Sequence, residues 1–178
     1  MSPIHTSIPV ARRVASFSYA IRNIAVEAQR VEAAGKTVRY LNVGNPPAFG
    51  FEPPPHLMAA VERAMHEGHN GYGPSPGVAV SREAVAAEYT GRGWRTSADR
   101  VFLTAGTSEG IELALSAIVD EGTEVLVPLP VYPLYTAIVA KLGARAVYYR
   151  TDPARGWIPD LDHIGSLVTS ATRALVVI

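Results

Sequence analysis

The chain has 178 residues, of which 48% are hydrophobic and 18% charged, the composition of a folded domain rather than a disordered segment. Sixteen cationic side chains balance sixteen anionic ones, which argues against nucleic acid or a membrane as a partner. The absence of cysteine excludes disulfides, thiolate metal sites and cysteine nucleophiles, and we expect no metal site. His5 and two prolines interrupt the start where a signal peptide needs an apolar run, so we expect a soluble, cytoplasmic protein.

Amphipathic helices and loops rich in glycine and proline are predicted for the first hundred residues. Apolar residues recur at steps of three and four from Val14 to Val31, which predicts a helix that ends near Gly35. The glycines and prolines of residues 44–55 then predict irregular structure. Two further helices are expected, one over residues 57–68 and one ending at Gly91, with a Gly-Tyr-Gly-Pro loop between them.

After Asp99 the pattern changes to an alternation of apolar strands and amphipathic helices. Such alternation is typical of an α/β fold with a parallel-dominated sheet covered by helices on both faces. The expected strands are 101–104, 124–127, 145–149 and 173–178, and the expected helices are 108–120, 132–142 and 160–168. The last strand is apolar and nothing in the sequence follows it, so we expect a truncated chain.

The strongest local signal is the turn at Gly106, Thr107 and Ser108, between a predicted strand and a predicted helix. Backbone N–H groups and the positive end of the helix dipole converge at such a point, and the two hydroxyls add donors, an arrangement that suits a phosphate monoester. Helix capping by Thr107 or Ser108 is an equally good interpretation of this segment. The glycine spacing fits neither a dinucleotide fingerprint nor a Walker A loop, which argues against nucleotide binding.

Three other residues are weaker candidates for a site. Tyr132 follows the next predicted strand, where its ring could lie on a flat heteroaromatic ligand or simply pack in the core. Tyr72 lies between glycines in a loop that could present its hydroxyl, although a turn aromatic is the commoner case. Gly44 would let a ligand carboxylate approach the backbone, or serves only the turn.

Taken in order, these pieces resemble the N-terminal part of class I/II (fold-type I) aminotransferases, which depend on pyridoxal 5′-phosphate (PLP). The likeness to this family covers about residues 13–178, and six segments resemble the bacterial alanine (glutamate:pyruvate) aminotransferases in particular. The matching segments are 18–22, 41–46, 49–51, 71–73, 130–135 and 159–162. The resemblance implies a PLP-transferase-like fold, with an N-terminal helical arm and small-domain segment over residues 1–55. Residues 56–178 would then be the first part of the large PLP-binding domain.

The resemblance also implies roles for the candidate residues at the cofactor. Gly106, Thr107 and Ser108 match the donors that hold the PLP phosphate, and Tyr132 matches the aromatic residue stacked on the pyridine ring. Tyr72 matches a tyrosine that reaches the phosphate of the neighbouring subunit, which implies a homodimer.

Substrate contacts are implied at three positions. Gly44 matches a backbone contact for the substrate carboxylate, and Tyr19 and Arg22 match residues that close over the substrate in alanine-type members. The expected substrates are an amino acid and a 2-oxo acid.

Several groups that the family uses in catalysis have no match in this chain. These are the asparagine of an Asn-Pro motif, the aspartate paired with the pyridinium nitrogen, the Schiff-base lysine and the arginine for the substrate carboxylate. Lys36 and Lys141 are the two lysines here, and their positions match no such role. We therefore expect the 178 residues alone to be inactive.

The resulting hypothesis is that the parent protein transfers an amino group between alanine, or a similar amino acid, and a 2-oxo acid. A related PLP lyase or cyclopropane-carboxylate synthase is one alternative. A non-catalytic binding or dimerisation module with this fold is another.

Overall fold

The computed structural model describes residues 11, 20–41 and 44–178, which belong to two compact units. One unit consists of Met1–Thr37 and Gly106–Ile178, and the other of Val38–Ala105. Over the described ranges, no helix has both the length and the apolar character needed to cross a membrane. The helices are α1 (Ala20–Ala33), α2 (Pro55–His66), α3 (Ala79–Gly91), α4 (Thr107–Ile118), α5 (Pro133–Lys141) and α6 (Leu161–Leu167). The strands are β1 (Glu124–Leu129), β2 (Arg145–Asp152), β3 (Ile158–Pro159) and β4 (Thr172–Leu175).

The first unit is built around a four-stranded sheet in the order β3-β2-β1-β4. Strand β1 pairs in parallel with β2 on one side and with β4 on the other, whereas β3 adds a short antiparallel edge to β2. The continuous apolar run of β1 suits this central place, and Val125, Leu126 and Val127 have no exposed surface. Val125 and Val127 form the core together with buried residues of the helical segments, namely Leu115, Val119, Ile138 and Val139.

The second unit contains α2, α3 and the loops around them. In its described part, Ala86 of α3 is the only buried residue, with 7% of its surface exposed. Arg82 ties α3 to the following turn by donating a hydrogen bond from Nη1 to the Ala98 carbonyl oxygen at 2.9 Å. Gly77 has a φ of 99°, and a Cβ there would lie 2.6 Å from Leu103 Cδ1, so glycine is required at this approach.

Most of the predicted elements are confirmed, with changes at their ends. The sheet is parallel-dominated, and strands are present at three of the four predicted places. The predicted helices over 108–120, 132–142 and 160–168 correspond to α4, α5 and α6. The last strand ends at Leu175 rather than at residue 178, although the Val176 N–H still donates to the Leu126 carbonyl oxygen.

The prediction of a strand over residues 101–104 is wrong. The backbone is extended at Val101, with φ −106° and ψ 127°, but the segment is not part of a regular ladder. Instead, the Leu103 N–H donates to the Pro76 carbonyl oxygen at 3.0 Å. An apolar, extended segment is therefore present here, with its amide hydrogen-bonded to a loop. The short strand β3 was not predicted, because two residues show no alternation of apolar and polar side chains.

A buried carboxylate holds together the starts of the parallel strands. Glu124, at the first position of β1, is 7% exposed. It accepts a hydrogen bond from Thr169 Oγ1 at 2.9 Å and forms an ion pair with Arg145, the first residue of β2. The hydrogen bond from Thr169, and then that from Arg145, lower the pKa of Glu124 from its ordinary value of 4.5. The ionised carboxylate is thus the form that the folded state stabilises.

Replacing Glu124 by glutamine should therefore destabilise the protein in a pH-dependent way. A lowered pKa contributes stability that is present above pH 4.5 and is lost as the pH falls through the folded-state pKa. We expect the melting temperature of Glu124→Gln to lie a few degrees below that of the wild type at pH 7, and the gap to shrink below pH 4.5. Thermal unfolding across this range measures it. The matched control is Glu121→Gln, at an exposed site in the turn before β1, and a gap independent of pH would contradict the prediction.

Candidate functional site

Gly106 sets the geometry at the start of α4. It is the N-cap residue, with φ 102° and ψ 169°, a region of backbone conformation that essentially only glycine occupies. A Cβ built on Gly106 would have no other atom within 4 Å. The need for glycine here is therefore conformational and does not come from crowding.

Thr107 and Ser108 are the first two residues of α4, and both are exposed. Neither occupies the capping position, since the N-cap residue is Gly106. The first N–H groups of a helix lack partners within the helix, and the helix dipole places positive potential there. Glu109 lies in the same turn and is the one acidic side chain there. The structure thus argues against Thr107 or Ser108 as the cap, and it places both hydroxyls in the first turn of the helix, beside amides of a kind that binds a phosphate.

Tyr132 lies where β1 leads into the next helix. It is the N-cap residue of α5, and its side chain is 44% exposed. Its ring meets that of Tyr135 edge to face, with the centroids 6.4 Å apart and the planes at 81°. This contact restricts the orientation of the Tyr132 ring, as a stacking platform requires.

A cleft of about 320 Å³ opens beside Tyr132, at the carboxyl ends of the parallel strands. Its walls are formed by Pro128, Pro130, Val131, Tyr132, Thr151, Trp157 and Ile178. Thr151 Oγ1 donates to the Leu129 carbonyl oxygen at 2.9 Å and so joins the ends of β2 and β1. Ligands of open parallel sheets bind at this edge. Five residues join helix α4 to β1, and a helix that packs back along the following strand begins near the carboxyl end of that strand.

Sequence analysis missed Trp157 and Thr151 as residues of this cleft. Trp157 is the one residue other than glycine with a positive φ in the described part of the chain, at 64°, and its side chain is 55% exposed. The preceding Gly156 signals a turn, but a turn signal does not show which way the next side chain points. Thr151 has no sequence signal beyond its place near the end of a strand.

The remaining candidates belong to the second unit, or their positions or side chains are not described. Tyr72 and Gly44 belong to the second unit, where the Tyr72 side chain is fully exposed and a Cβ on Gly44 would meet no atom within 4 Å. Arg22 lies in α1, but its side chain is not described, and Tyr19 lies outside the described residues. The structure therefore brings Gly106, Thr107, Ser108 and Tyr132 into one unit and leaves Tyr72 and Gly44 in the other.

Neither lysine borders the cleft. Lys141 is the last residue of α5, at the end of the helix opposite Tyr132, and it forms an ion pair with Glu112. Lys36 follows α1 and is exposed.

Comparisons with known proteins place this arrangement in a family. Residues 36–178 match the family model for class I and II aminotransferases. The chain is 38% identical, over 180 aligned residues, to the glutamate-pyruvate aminotransferase of Escherichia coli strain K12, and the match covers the whole of this chain and 43% of that protein.

Solved structures give the same result. The alanine aminotransferase from Pyrococcus furiosus superposes with a TM-score of 0.87 at 39% identity, covering 94% of this chain and 43% of that one. A mutant aspartate aminotransferase from Thermus thermophilus superposes with a TM-score of 0.86 at 28% identity, covering 96% and 44%. The chain thus spans less than half the length of these relatives.

The family match includes both the turn at Gly106 and Tyr132. Class I and II aminotransferases depend on PLP, a phosphate monoester with a flat heteroaromatic ring, and the exposed helix start and the aromatic cleft have the matching chemistry. The chain belongs to the class I and II aminotransferases.

Proposed function

We propose that the protein transfers an amino group between alanine, or a similar amino acid, and a 2-oxo acid, with PLP as cofactor. In this proposal the chain supplies the groups that hold the phosphate and one face of the cofactor ring. The observation that carries it is the start of α4, where Gly106 is the N-cap residue in a conformation reserved for glycine and the hydroxyl residues Thr107 and Ser108 follow it, both exposed. The 38% identity to a glutamate-pyruvate aminotransferase over the whole chain supports the choice of substrates.

The residues at this turn fit the phosphate of PLP. A phosphate dianion needs several donors and positive potential, and the first-turn amides, the helix dipole and the hydroxyls of Thr107 and Ser108 supply both. Gly106 lets the backbone approach the phosphate without a side chain in the way. Because these donors are fixed to the helix, they orient the cofactor as well as bind it.

Tyr132 and the cleft would hold the ring. The edge contact with Tyr135 fixes the Tyr132 ring, which can then cover one face of the cofactor. The prolines and Trp157 make the cleft walls apolar, and apolar walls exclude water and strengthen electrostatic interactions inside. When bound, PLP supplies the electron-withdrawing ring that amino-group transfer requires.

The remaining roles in the proposal concern substrate and partner. Gly44 would contact the substrate carboxylate through its backbone, and Tyr19 and Arg22 would close over the substrate. The parent would be a cytoplasmic homodimer in which Tyr72 serves the phosphate of the other subunit. Two features support an interface: Tyr72 is fully exposed, and α2 before it carries exposed apolar side chains at Leu57, Met58, Val61 and Met65.

The proposal is tested by incubating the full-length parent protein with PLP, alanine and 2-oxoglutarate. Pyruvate formation is the quantity measured. We expect pyruvate to form in proportion to protein and to require PLP. A protein that binds PLP and leaves alanine unchanged, but eliminates or cyclises an amino acid whose side chain carries a leaving group, would support the lyase or synthase alternative. A protein that neither binds PLP nor consumes alanine would contradict the proposal.

Residues 1–178 alone should not transaminate. The amines of this chain besides the N-terminus belong to Lys36 and Lys141, and Lys141 is engaged with Glu112 at the far end of α5 from Tyr132. The proposal therefore places the catalytic lysine outside these residues. The same pyruvate assay checks this on the 178-residue chain, and turnover comparable with that of the parent would show that the catalytic machinery is misassigned.

Replacing Gly106 by alanine should weaken PLP binding in the parent protein. The φ of 102° costs a residue other than glycine about 1–3 kcal/mol, which the backbone relieves by shifting the amides of the turn. We expect the PLP dissociation constant to rise about tenfold or more, measured by fluorescence titration of the apoprotein. The control is Gly165→Ala in α6, where φ is not positive and the Cβ position is open. Equal affinity for PLP in both variants would contradict the assignment of the turn.

A further inference from the structure

The chain that leaves β4 forms one wall of the cleft beside Tyr132. The regular strand ends at Leu175, and Ile178 lines the cleft three residues later. Between them, Val176 stays attached to the sheet because its N–H donates to the Leu126 carbonyl oxygen at 2.8 Å. What fixes Val176 therefore also fixes this wall.

The ladder between β1 and β4 lacks its next hydrogen bond. In a parallel pair, a residue that donates to position j of the neighbour accepts from the N–H of position j+2. The Val176 carbonyl oxygen should thus accept from residue 128, but residue 128 is proline and has no N–H. A proline in a central strand is uncommon for this reason.

Tyr149 supplies a donor at this point. It lies on β2 opposite Pro128 in the register of the sheet and is 1% exposed. Its hydroxyl donates to the Val176 carbonyl oxygen at 2.7 Å, so its side chain reaches across the central strand to the far one. Burial raises the pKa of Tyr149, which keeps the hydroxyl protonated and able to donate.

We propose that Tyr149 is a positioning residue that replaces the missing amide donor of Pro128 and so holds residues 176–178 as a wall of the cofactor cleft. Its place in catalysis rests on the proposed function, whereas its hydrogen bond does not. Without the Tyr149 hydroxyl, the Val176 carbonyl oxygen would have neither a backbone N–H at position 128 nor a side-chain donor. The segment would then spend part of its time detached, and affinity for a ligand falls with the fraction of molecules in the binding-competent form.

The experiment compares three variants of the full-length parent protein. Tyr149→Phe removes the hydroxyl and keeps the ring. Tyr148→Phe is the matched control, since Tyr148 is the neighbouring residue on β2, is 45% exposed and does not line the cleft. The double variant Tyr149→Phe/Pro128→Ala removes the hydroxyl but restores a backbone N–H at position 128.

Two readouts are needed. Hydrogen exchange of the apoprotein, followed by mass spectrometry, reports on residues 176–178, and fluorescence titration gives the PLP dissociation constant. For Tyr149→Phe we expect faster exchange in this segment and PLP binding about three- to tenfold weaker. Tyr148→Phe should match the wild type. The double variant should exchange at close to the wild-type rate, because the new amide replaces the hydroxyl; exchange is the readout for this variant, because Pro128 itself lines the cleft.

Each outcome decides the proposal. Exchange of residues 176–178 at the wild-type rate in Tyr149→Phe would overturn it, and so would exchange in the double variant that is as fast as in the single one. If Tyr149→Phe unfolds, a double variant that also fails to fold would count against the proposal, while a folded one would support it. A wild-type protein that does not bind PLP would contradict the proposed function, yet the exchange measurement would still test the role of Tyr149.

Discussion

Burial of β1 on both faces and along both edges is the constraint on which the rest of this unit depends. Val125, Leu126 and Val127 have no exposed surface, and burial of each such side chain contributes about 1.5–3 kcal/mol. Both neighbours of β1 are parallel to it, and parallel strands must be joined by long crossovers. Helix α5 is part of the crossover to β2, and α4 leads into β1. The residues of the candidate site begin these two helices, so their position follows from the burial of one strand.

The two ends of β1 have different chemistry. At its start, the Glu124 carboxylate joins β1 to β2 through the ion pair with Arg145, and to the turn before β4 through the hydrogen bond from Thr169. At its end, prolines and aromatic rings surround a cleft and few polar groups face each other. The strand has six residues, which separates its first and last residues by about 17 Å. Changes at Glu124 should therefore act on stability, and changes around Tyr132 on binding.

Sequence patterns predicted the helices and the parallel strands well, because each has its own periodicity or apolar run. They failed at residues 101–104, where an apolar run predicts a strand. In the structure, the Leu103 N–H donates to the Pro76 carbonyl oxygen in a loop rather than to a neighbouring strand. The helix start at Gly106 could be predicted, since glycine before two hydroxyl residues is a local signal. The roles of Tyr149 and Trp157 could not be, because one depends on a carbonyl two strands away and the other on the direction of a side chain after a turn.

The fold alone does not choose the substrate. An alanine aminotransferase and an aspartate aminotransferase superpose on this chain with nearly equal TM-scores, 0.87 and 0.86, although the sequence identities are 39% and 28%. The backbone that this chain has in common with both enzymes therefore reflects a property that the two enzymes have in common. In the proposed function, that property is the binding of the cofactor. In the proposed function Gly44 contacts the substrate carboxylate through its backbone, and because every amino acid carries that carboxylate, this contact would not distinguish one side chain from another. In the proposed function Tyr19 and Arg22 close over the substrate, so their side chains would contribute to the choice of amino acid.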